Sequence, residues 1–597
     1  MNYQACRSLN VMFFDQVTRL GDKPMLWRKI DGSYRPSSWA QVAEQVSLLS
    51  RGLRSLGIEP GDRVVIVSEN RPEWLISELA ILAAGAIAVP AYITNTVEDH
   101  RHIIENTRAR MAIVSTKRLA DNLLPAAHTV ESCAVAIAME PLDMSQDIGG
   151  VHVHAWDDVL VRGSELPDDV ADLAARAART DTAVIIHTSG TGGAPRGVML
   201  SHGAILHNCE GAYDMFKDRI ASDGETFLCF LPLSHSYEHM AGQFFPLTIG
   251  AEIYYAESIE ALLSNIAEVR PTIMTAVPRL YETMYQRVRK SQAANTGLKK
   301  TLFEKALALG IKKYHDPTSL SLGERILDRL VDRLVRTKVR ARFGGRLKFF
   351  VSGGAPLNED IGIFFTALGL TLLQGYGLTE SAPLISVNPP WRCKLHTVGL
   401  PVKNTEVRIA DDGEILVKGE LVMQGYYGDP KGTETVIEDG WLHTGDIGLL
   451  DEDGYLQITD RKKDLIVNSG GDNISPQRVE GILALQPEIQ QVMVYGDKRP
   501  YLVAVVVPDP DFLSDWATRH RKPADLGRVA EDAGLHDAIA QSIERVNADL
   551  SRVERVRRFM VADREFGVEN GMMTPTMKIR RHIIKGAFGE RLEGLYG

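Results

Sequence analysis

At 597 residues the chain exceeds what a single hydrophobic core sustains, so roughly two to four domains are expected. Its hydrophobic content of 44% can fill such cores, and 67 basic against 77 acidic residues leave a formal charge of −10. That balance excludes nucleic acid as the main partner and leaves room only for a local basic pocket.

Taken in chain order, the N-terminal MNYQACRSLN lacks the basic lead-in and apolar core of a signal peptide. Residues 40–56 read as an amphipathic helix stopped by Gly57, 63–67 as a strand, and 73–84 as a helix begun by Pro72. The most apolar stretch, 75–90, is interrupted by Glu78 and falls short of the ~18 apolar residues of a membrane span. It reads as a buried helix running into a strand at 87–89. A polar helix at 97–107 and a strand at 111–114 complete a rhythm that predicts α/β layers around a parallel sheet. Residues 183–186 form a further strand, and Ser201 is suited to cap a helix from His202. Residues 225–233 and 347–356 each run a strand into a loop, and ligand loops in such folds lie past the carboxyl ends of strands.

Residues 324–345 place arginines at 325, 329, 333, 336, 340 and 342, with Lys338, beside Leu327, Leu330, Val331 and Leu334. Two readings stand: a basic amphipathic helix in weak peripheral contact with an anionic membrane, or a surface helix packed on the sheet. Near Val407 the texture shifts to short strands joined by Asp-Gly turns, a hairpin signature that predicts a β-rich subdomain at 401–460. The last segment predicts a helix from Pro476, strands at 491–495 and 502–507, more helices, and a strand-like 553–561. The five cysteines, Cys6, Cys133, Cys209, Cys229 and Cys393, have neither ligand nor disulfide spacing, which fits reducing cytoplasm.

Four glycine-bearing stretches carry chemistry. HTSGTGGAPRG sets Gly190, Gly192 and Gly193 among Thr188, Ser189 and Thr191, so backbone N–H groups and hydroxyls can converge on an anion, with Arg196 adding charge. Its alternative is a flexible surface loop. It is no Walker A motif, because Pro195-Arg196-Gly197-Val198 stands where Gly-Lys-Ser/Thr would be. SGGAP (Gly353, Gly354, Ala355, Pro356) follows a strand, and QGYGLTES flanks Tyr376 with Gly375 and Gly377, leaving its ring free to stack on a base or to pack in the core. Glu380, next to Thr379, is a hard oxygen ligand of the kind Mg²⁺ uses while attached to phosphates. GWLHTGD ends in Asp446, an acceptor for a sugar hydroxyl or an ordinary turn residue.

In that order, with LPLSHSYEH, DRKKDLIVNSGGDNISP and TPTMKIRR, these motifs resemble those of acyl-adenylate-forming enzymes, and within them the bacterial long-chain fatty acid–CoA ligases. The resemblance implies a large N-terminal domain of layered α/β sheets (1–400), the β-rich subdomain, and a smaller mobile α+β domain (461–597). It implies ATP, Mg²⁺ and CoA: Thr188 to Arg196 on the phosphates, Thr188 and Glu380 around Mg²⁺, and Gly353 to Pro356, Gln374 and Tyr376 around the adenine. It further implies Asp446 and Arg461 on the ribose, His235 beside the acyl carboxylate, and Gly470 and Gly471 along the pantetheine arm after the small domain turns. Lys463 falls at the hinge and Lys578 at the adenylation lysine. Two positions depart from the family pattern: Gly192 replaces a threonine and Arg196 a lysine, the latter trading a compact ammonium for a planar fork. The rival readings are delivery of the acyl group to a carrier protein, and a CoA ligase for a medium-chain or aromatic acid. A luciferase-like oxidising enzyme and an inactive nucleotide-binding regulator are more distant. A homodimer is compatible with the sequence, which does not determine it.

Overall fold

Apolar side chains on both faces of the short strands meet two different cores. In Arg63–Val67, Val64 and Ile66 enter one cluster while Val65 and Val67 enter another. Ile273 and Val351 face that first cluster, and their neighbours Met274 and Phe350 face a third. Because side chains alternate across a strand, the shared cluster must be a middle layer with a sheet on either side.

The structure is a computed structural model that describes residues 2–142, 147–148, 150–188, 195–221, 224–293, 295–574 and 578–597. Among these residues two nine-stranded sheets flank the middle layer. The strands Leu372–Gly377, Phe349–Ser352, Ile273–Ala276, Thr226–Cys229, Glu252–Tyr255 and Pro24–Ile30 form the parallel heart of one. Thr182–His187, Ile87–Pro90, Arg63–Val67, Met111–Val114, Val135–Ala138 and Val151–Ala155 form that of the other. Antiparallel strands close the edges of both.

The helices Leu9–Leu20, Trp39–Ser55, Pro72–Ala83 and His202–Phe216 fill the middle layer. Trp39–Ser55 starts at a capping box between Ser38 and Gln41 and buries Trp39, Val42, Val46, Leu49 and Leu53, the one-sided spacing of an amphipathic helix. Pro72–Ala83 is buried all round except at Glu73, which explains its nearly unbroken apolar sequence.

Several expected spans shift. Within 225–233 the strand is Thr226–Cys229 and the rest is loop. The strand Leu372–Gly377 extends into the QGYG stretch, so Tyr376 lies within it and pairs with Ser386. The strand Gly197–Ser201 had no sequence expectation. The helix expected at 324–345 runs as Leu322–Val331, a π-turn Asp332–Arg336, and Thr337–Arg342. The wider turn accompanies Arg336 being turned inward. Its guanidinium donates to the Ala367 and Ala306 carbonyls at 2.7 and 2.8 Å and pairs with Asp328 at 2.6 Å. A buried arginine is tolerable only with such partners.

Past the sheets, the hairpin Glu406–Ile409 and Glu414–Lys418 joins Trp441–Leu450 and Leu456–Arg461 in an antiparallel sheet. The strands Ile489–Tyr495, Leu502–Pro508 and Val556–Val561 then form a sheet with a core on each face, both cores drawn only from residues beyond 465 apart from packing at its margins.

Candidate active site

The parallel strands Thr182–His187, Ile273–Ala276, Phe349–Ser352 and Leu372–Gly377 end at, or line, one cavity of about 730 Å³. Thr182–His187 pairs antiparallel with Gly197–Ser201, with Gly197 opposite His187, so a second strand stands between the first one and the helix His202–Phe216. Ser201 then caps His202–Phe216, its hydroxyl accepting from the Ala204 N–H at 3.1 Å. Ser189, Gly190, Thr191, Gly192 and Gly193 lie outside the described residues. Next to that pairing the Thr188 N–H donates to the Arg196 carbonyl at 3.0 Å. Gly197 has no room for a side chain: a Cβ would stand 2.8 Å from Ile185 and 3.1 Å from Asn106. Thr188 and Arg196 both face the cavity.

Arg196 lies over the ring of Tyr426, its guanidinium carbon 4.9 Å from the centroid. The Tyr426 hydroxyl donates to the Glu380 carboxylate at 2.9 Å. A planar guanidinium covers an aromatic face better than an ammonium does, so the family departure at Arg196 has a local counterpart in Tyr426. Tyr426 escaped the sequence reading although Gly425-Tyr426-Tyr427-Gly428 carries the same glycine-flanked aromatic as Gly375-Tyr376-Gly377.

Asp446 is the second node, nearly fully buried. One oxygen accepts from the Tyr376 hydroxyl at 2.7 Å and the other pairs with Arg461 at 2.9 Å. The Tyr376 ring packs among Ile385, Ile415 and Leu456 and is only 8% exposed, so the core reading of this residue holds alongside its place in the cavity wall. Glu414, also unforeseen, accepts from the Gly445 N–H at 2.9 Å, contacts His443 at 3.2 Å, and pairs with Lys462 at 3.0 Å. It ties the strand segment before Asp446 to the turn that carries Lys463.

Lys578 reaches this cavity from the C-terminal part of the chain, held by hydrogen bonds between its backbone and Thr574. Burial, aided by the Arg461 charge and opposed by Asp446 and Glu380, lowers its ammonium to about 8. His235 lines the same space. Burial, with a smaller push from Lys578, drops its imidazole to about 3. The ring is therefore neutral at physiological pH, and because Nδ1 accepts the Tyr237 N–H at 3.2 Å, Nε2 carries the proton.

Gly353, Gly354, Gly375, Gly377 and Thr379 line the cavity as well, and the Thr379 hydroxyl lies 3.1 Å from that of Ser236. Gln374 does not: its side chain is buried, donating to the Leu395 carbonyl and accepting from the Leu357 N–H at 3.3 Å. That corrects its expected place on the adenine, since both ends of the amide are already engaged. Ala355 and Pro356 are exposed and outside the cavity wall. Gly470 and Gly471 are also exposed and outside it, in a turn closed by Asn468 and Asp472. An apolar arm of the cavity, lined by Ala212, Phe216, Phe227, Met240, Ala241 and Phe245, runs between His202–Phe216, the π-turn His239–Phe244 and the first sheet.

A model described as AMP-binding enzyme matches residues 13–427, and one described as AMP-binding enzyme C-terminal domain matches residues 463–597. The long-chain-fatty-acid–CoA ligase FadD15 of Mycobacterium tuberculosis is 35% identical, over 98% of this chain and 96% of its own. Long chain acyl-CoA synthetase 1 of Arabidopsis thaliana is 30% identical, over 98% and 92%. Among solved structures, the A domain of carboxylic acid reductase from Segniliparus rugosus superposes with a TM-score of 0.75 at 21% identity, covering 99% of this chain and 94% of its own.

Proposed function

The chain belongs to the AMP-binding enzyme family, and on that premise we infer that it is an ATP-dependent long-chain fatty acid–CoA ligase. A carboxylate is a poor acylating agent because its leaving group would be oxide. Attack of the carboxylate oxygen on the ATP α-phosphorus gives acyl-AMP and pyrophosphate. The CoA thiol then attacks the acyl carbon, AMP leaves, and the thiol proton is released. A fatty acid ionised at neutral pH needs no general base for the first step. The step needs charge stabilisation at the transferring phosphoryl group, in a site that excludes water.

The observation that carries this reading is the meeting of Lys578 with Arg196, Glu380 and Arg461, the ion-pair partner of Asp446, in one cavity that continues into an apolar arm. We assign Thr188, the Ser189–Gly193 stretch and Arg196 to the ATP phosphates, Gly353, Gly354 and the Gly375–Gly377 strand end to the adenine, and Asp446 with Arg461 to the ribose. Lys578 approaches the α-phosphate and carboxylate oxygens, and neutral His235 offers its Nε2–H to the acyl carboxylate. Mg²⁺ would be held by Glu380 and Thr188 together with the phosphates, supplying further charge neutralisation. The donor set fits: the Glu380 carboxylate and the Thr188 hydroxyl are oxygen donors on residues that line the same cavity, and Mg²⁺ commonly rides on substrate phosphates with few protein ligands.

We take residues 1–400 as the large domain, 401–460 as its β-rich subdomain and 461–597 as the domain that turns about Lys463, bringing Gly470 and Gly471 to the pantetheine arm. From the family likeness we take the acid to be long-chain, of about 12–18 carbons; the relatives' printed names say long-chain, and the apolar arm supplies a lining for such a chain. We place the enzyme in the cytoplasm; among the described residues no helix is long and apolar enough to cross a membrane.

The test is a substrate panel that reads pyrophosphate release with ATP and then CoA consumption. Palmitate should outperform octanoate and benzoate in kcat/KM. Preference for either shorter acid would overturn the long-chain assignment. Adenylation without CoA consumption, with transfer to an acyl carrier protein instead, would establish the rival delivery.

A further inference from the structure

We propose that the outward face of the helix Leu322–Val331 and its following π-turn docks on an anionic lipid bilayer. Val331 is fully buried against the neighbouring helix Gly297–His315, which fixes the opposite side of Leu322–Val331 toward solvent. That solvent side is apolar: Leu322, Ile326, Leu330 and Leu334 are 79, 70, 49 and 39% exposed, each four residues after the last. A surface helix packed on the sheet would have turned these side chains inward. Here inward packing is satisfied by Leu327, Val331 and Val335 instead. Large apolar side chains repeated along one exposed face mark an interaction surface.

The charges beside the stripe select the partner. Every carboxylate on this segment is already paired: Glu324 with Lys312, Asp328 with Arg336, and Asp332 with Arg340. Arg329 and Arg333, each one residue before a stripe leucine, make no ion pair among the described residues. On the helical wheel they fall on the outward side with Leu322 and Ile326. The exposed face therefore offers apolar side chains that can enter the headgroup boundary, and uncompensated guanidiniums for lipid phosphates. A second copy meeting this face about a two-fold axis would bring like-charged arginines together, which disfavours self-association there. The whole chain, at −10, is repelled by an anionic membrane, so such a local patch would also set orientation.

The experiment is co-sedimentation of the full chain with phosphatidylglycerol-containing vesicles and with pure phosphatidylcholine vesicles. Binding should favour the anionic vesicles and weaken with added salt. R329Q with R333Q should lower the partition coefficient roughly 30-fold. L322S with I326S, at the two most exposed stripe positions, should also lower it. CoA consumption with a soluble acid should stay unchanged in both double variants, since none of these residues touches the cavity. Lack of parent binding, equal binding to both vesicle types, or double variants that bind like the parent would overturn the proposal. So would an L322S/I326S variant that only dissociates a dimer in sedimentation velocity. Vesicle binding and CoA consumption are read separately, so failure of the docking surface and failure of the ligase reading are distinguishable.

Discussion

Lys578 sits where burial already works against its charge, with an ammonium lowered to about 8. The protonated form predominates below that value and is lost above it, so kcat/KM for adenylation should fall as pH rises through about 8. In Lys578→Arg the alkaline fall should move upward, because a guanidinium stays charged. Lys578→Ala should lower adenylation by roughly 10²- to 10³-fold, about 2.7–4 kcal/mol, the usual effect of losing one preorganised contact to developing charge. Thioester formation from supplied acyl-AMP should be much less affected. Single-turnover assays of each half-reaction measure both, and equal loss in the two steps would mean general damage to the C-terminal domain. Tyr426→Phe keeps the ring beneath Arg196 but removes the donor to Glu380. A hydrogen bond to a charged group contributes about 1.5–3 kcal/mol, so kcat/KM for MgATP should drop about tenfold or more; an unchanged value would detach Tyr426 from the phosphate end. Asp446 and Glu380 stood out in the sequence because glycines precede them closely, Gly445 before Asp446 and Gly375 and Gly377 before Glu380. Tyr426 and Glu414 were not, because each lies more than 30 residues along the chain from its partner Glu380 or Gly445 and only folding joins them.

Strands with branched apolar residues on both faces read clearly because each face needs its own core: 63–67 and 111–114 appear with the bounds expected, as does the helix 97–107 between them. The strand Gly197–Ser201 was hidden because glycine and serine at its ends read as loop, and only pairing with Thr182–His187 makes it a strand. The π-turn His239–Phe244 was equally hidden, since a widened turn has no periodicity to read. It positions Met240 and Ala241 on the apolar arm, across from Ala212 on His202–Phe216. Phe216, Phe227 and Phe245 line that arm, the Phe245 ring edge-on to Phe216 at 6.3 Å and to Phe227 at 6.2 Å. Small side chains at Ala212 and Ala241 thus leave the arm its width. Ala212→Leu should shift the preferred acid to shorter chains, the ratio of kcat/KM for palmitate over decanoate falling by about tenfold, in keeping with an overpacking cost of about 1–3 kcal/mol. An unchanged ratio would mean that the acyl chain takes another path.

At the scale of the whole chain, beyond the Arg461 and Lys462 ion pairs and Lys578 in the cavity, few contacts among the described residues tie the C-terminal portion to the rest. Leu485 packs against the third core, Gln286 donates to the Leu485 carbonyl at 3.1 Å, and Lys290 pairs with Asp511 at 2.7 Å. That ion pair is about three-quarters exposed on both sides and adds little. Such a boundary suits a hinge, and the turn after Leu456–Arg461 is where the proposed pivot lies. Lys463→Pro restricts the backbone there. Adenylation should survive while thioester formation slows severely, read as accumulating acyl-AMP in the presence of CoA; normal acyl-CoA production would place the pivot elsewhere.

Lys578 fills its corner of the cavity while Gly470 and Gly471, in the same domain, face solvent. On the roles assigned above, the two tools cannot be presented at once, and the domain acts as an escapement that releases one tick per visit of CoA. With CoA absent, rapid mixing with palmitate and ATP should give a pyrophosphate burst equal to the concentration of enzyme and then near silence. A cell short of CoA would thereby keep its ATP, with each molecule of enzyme holding a single activated acyl group in waiting.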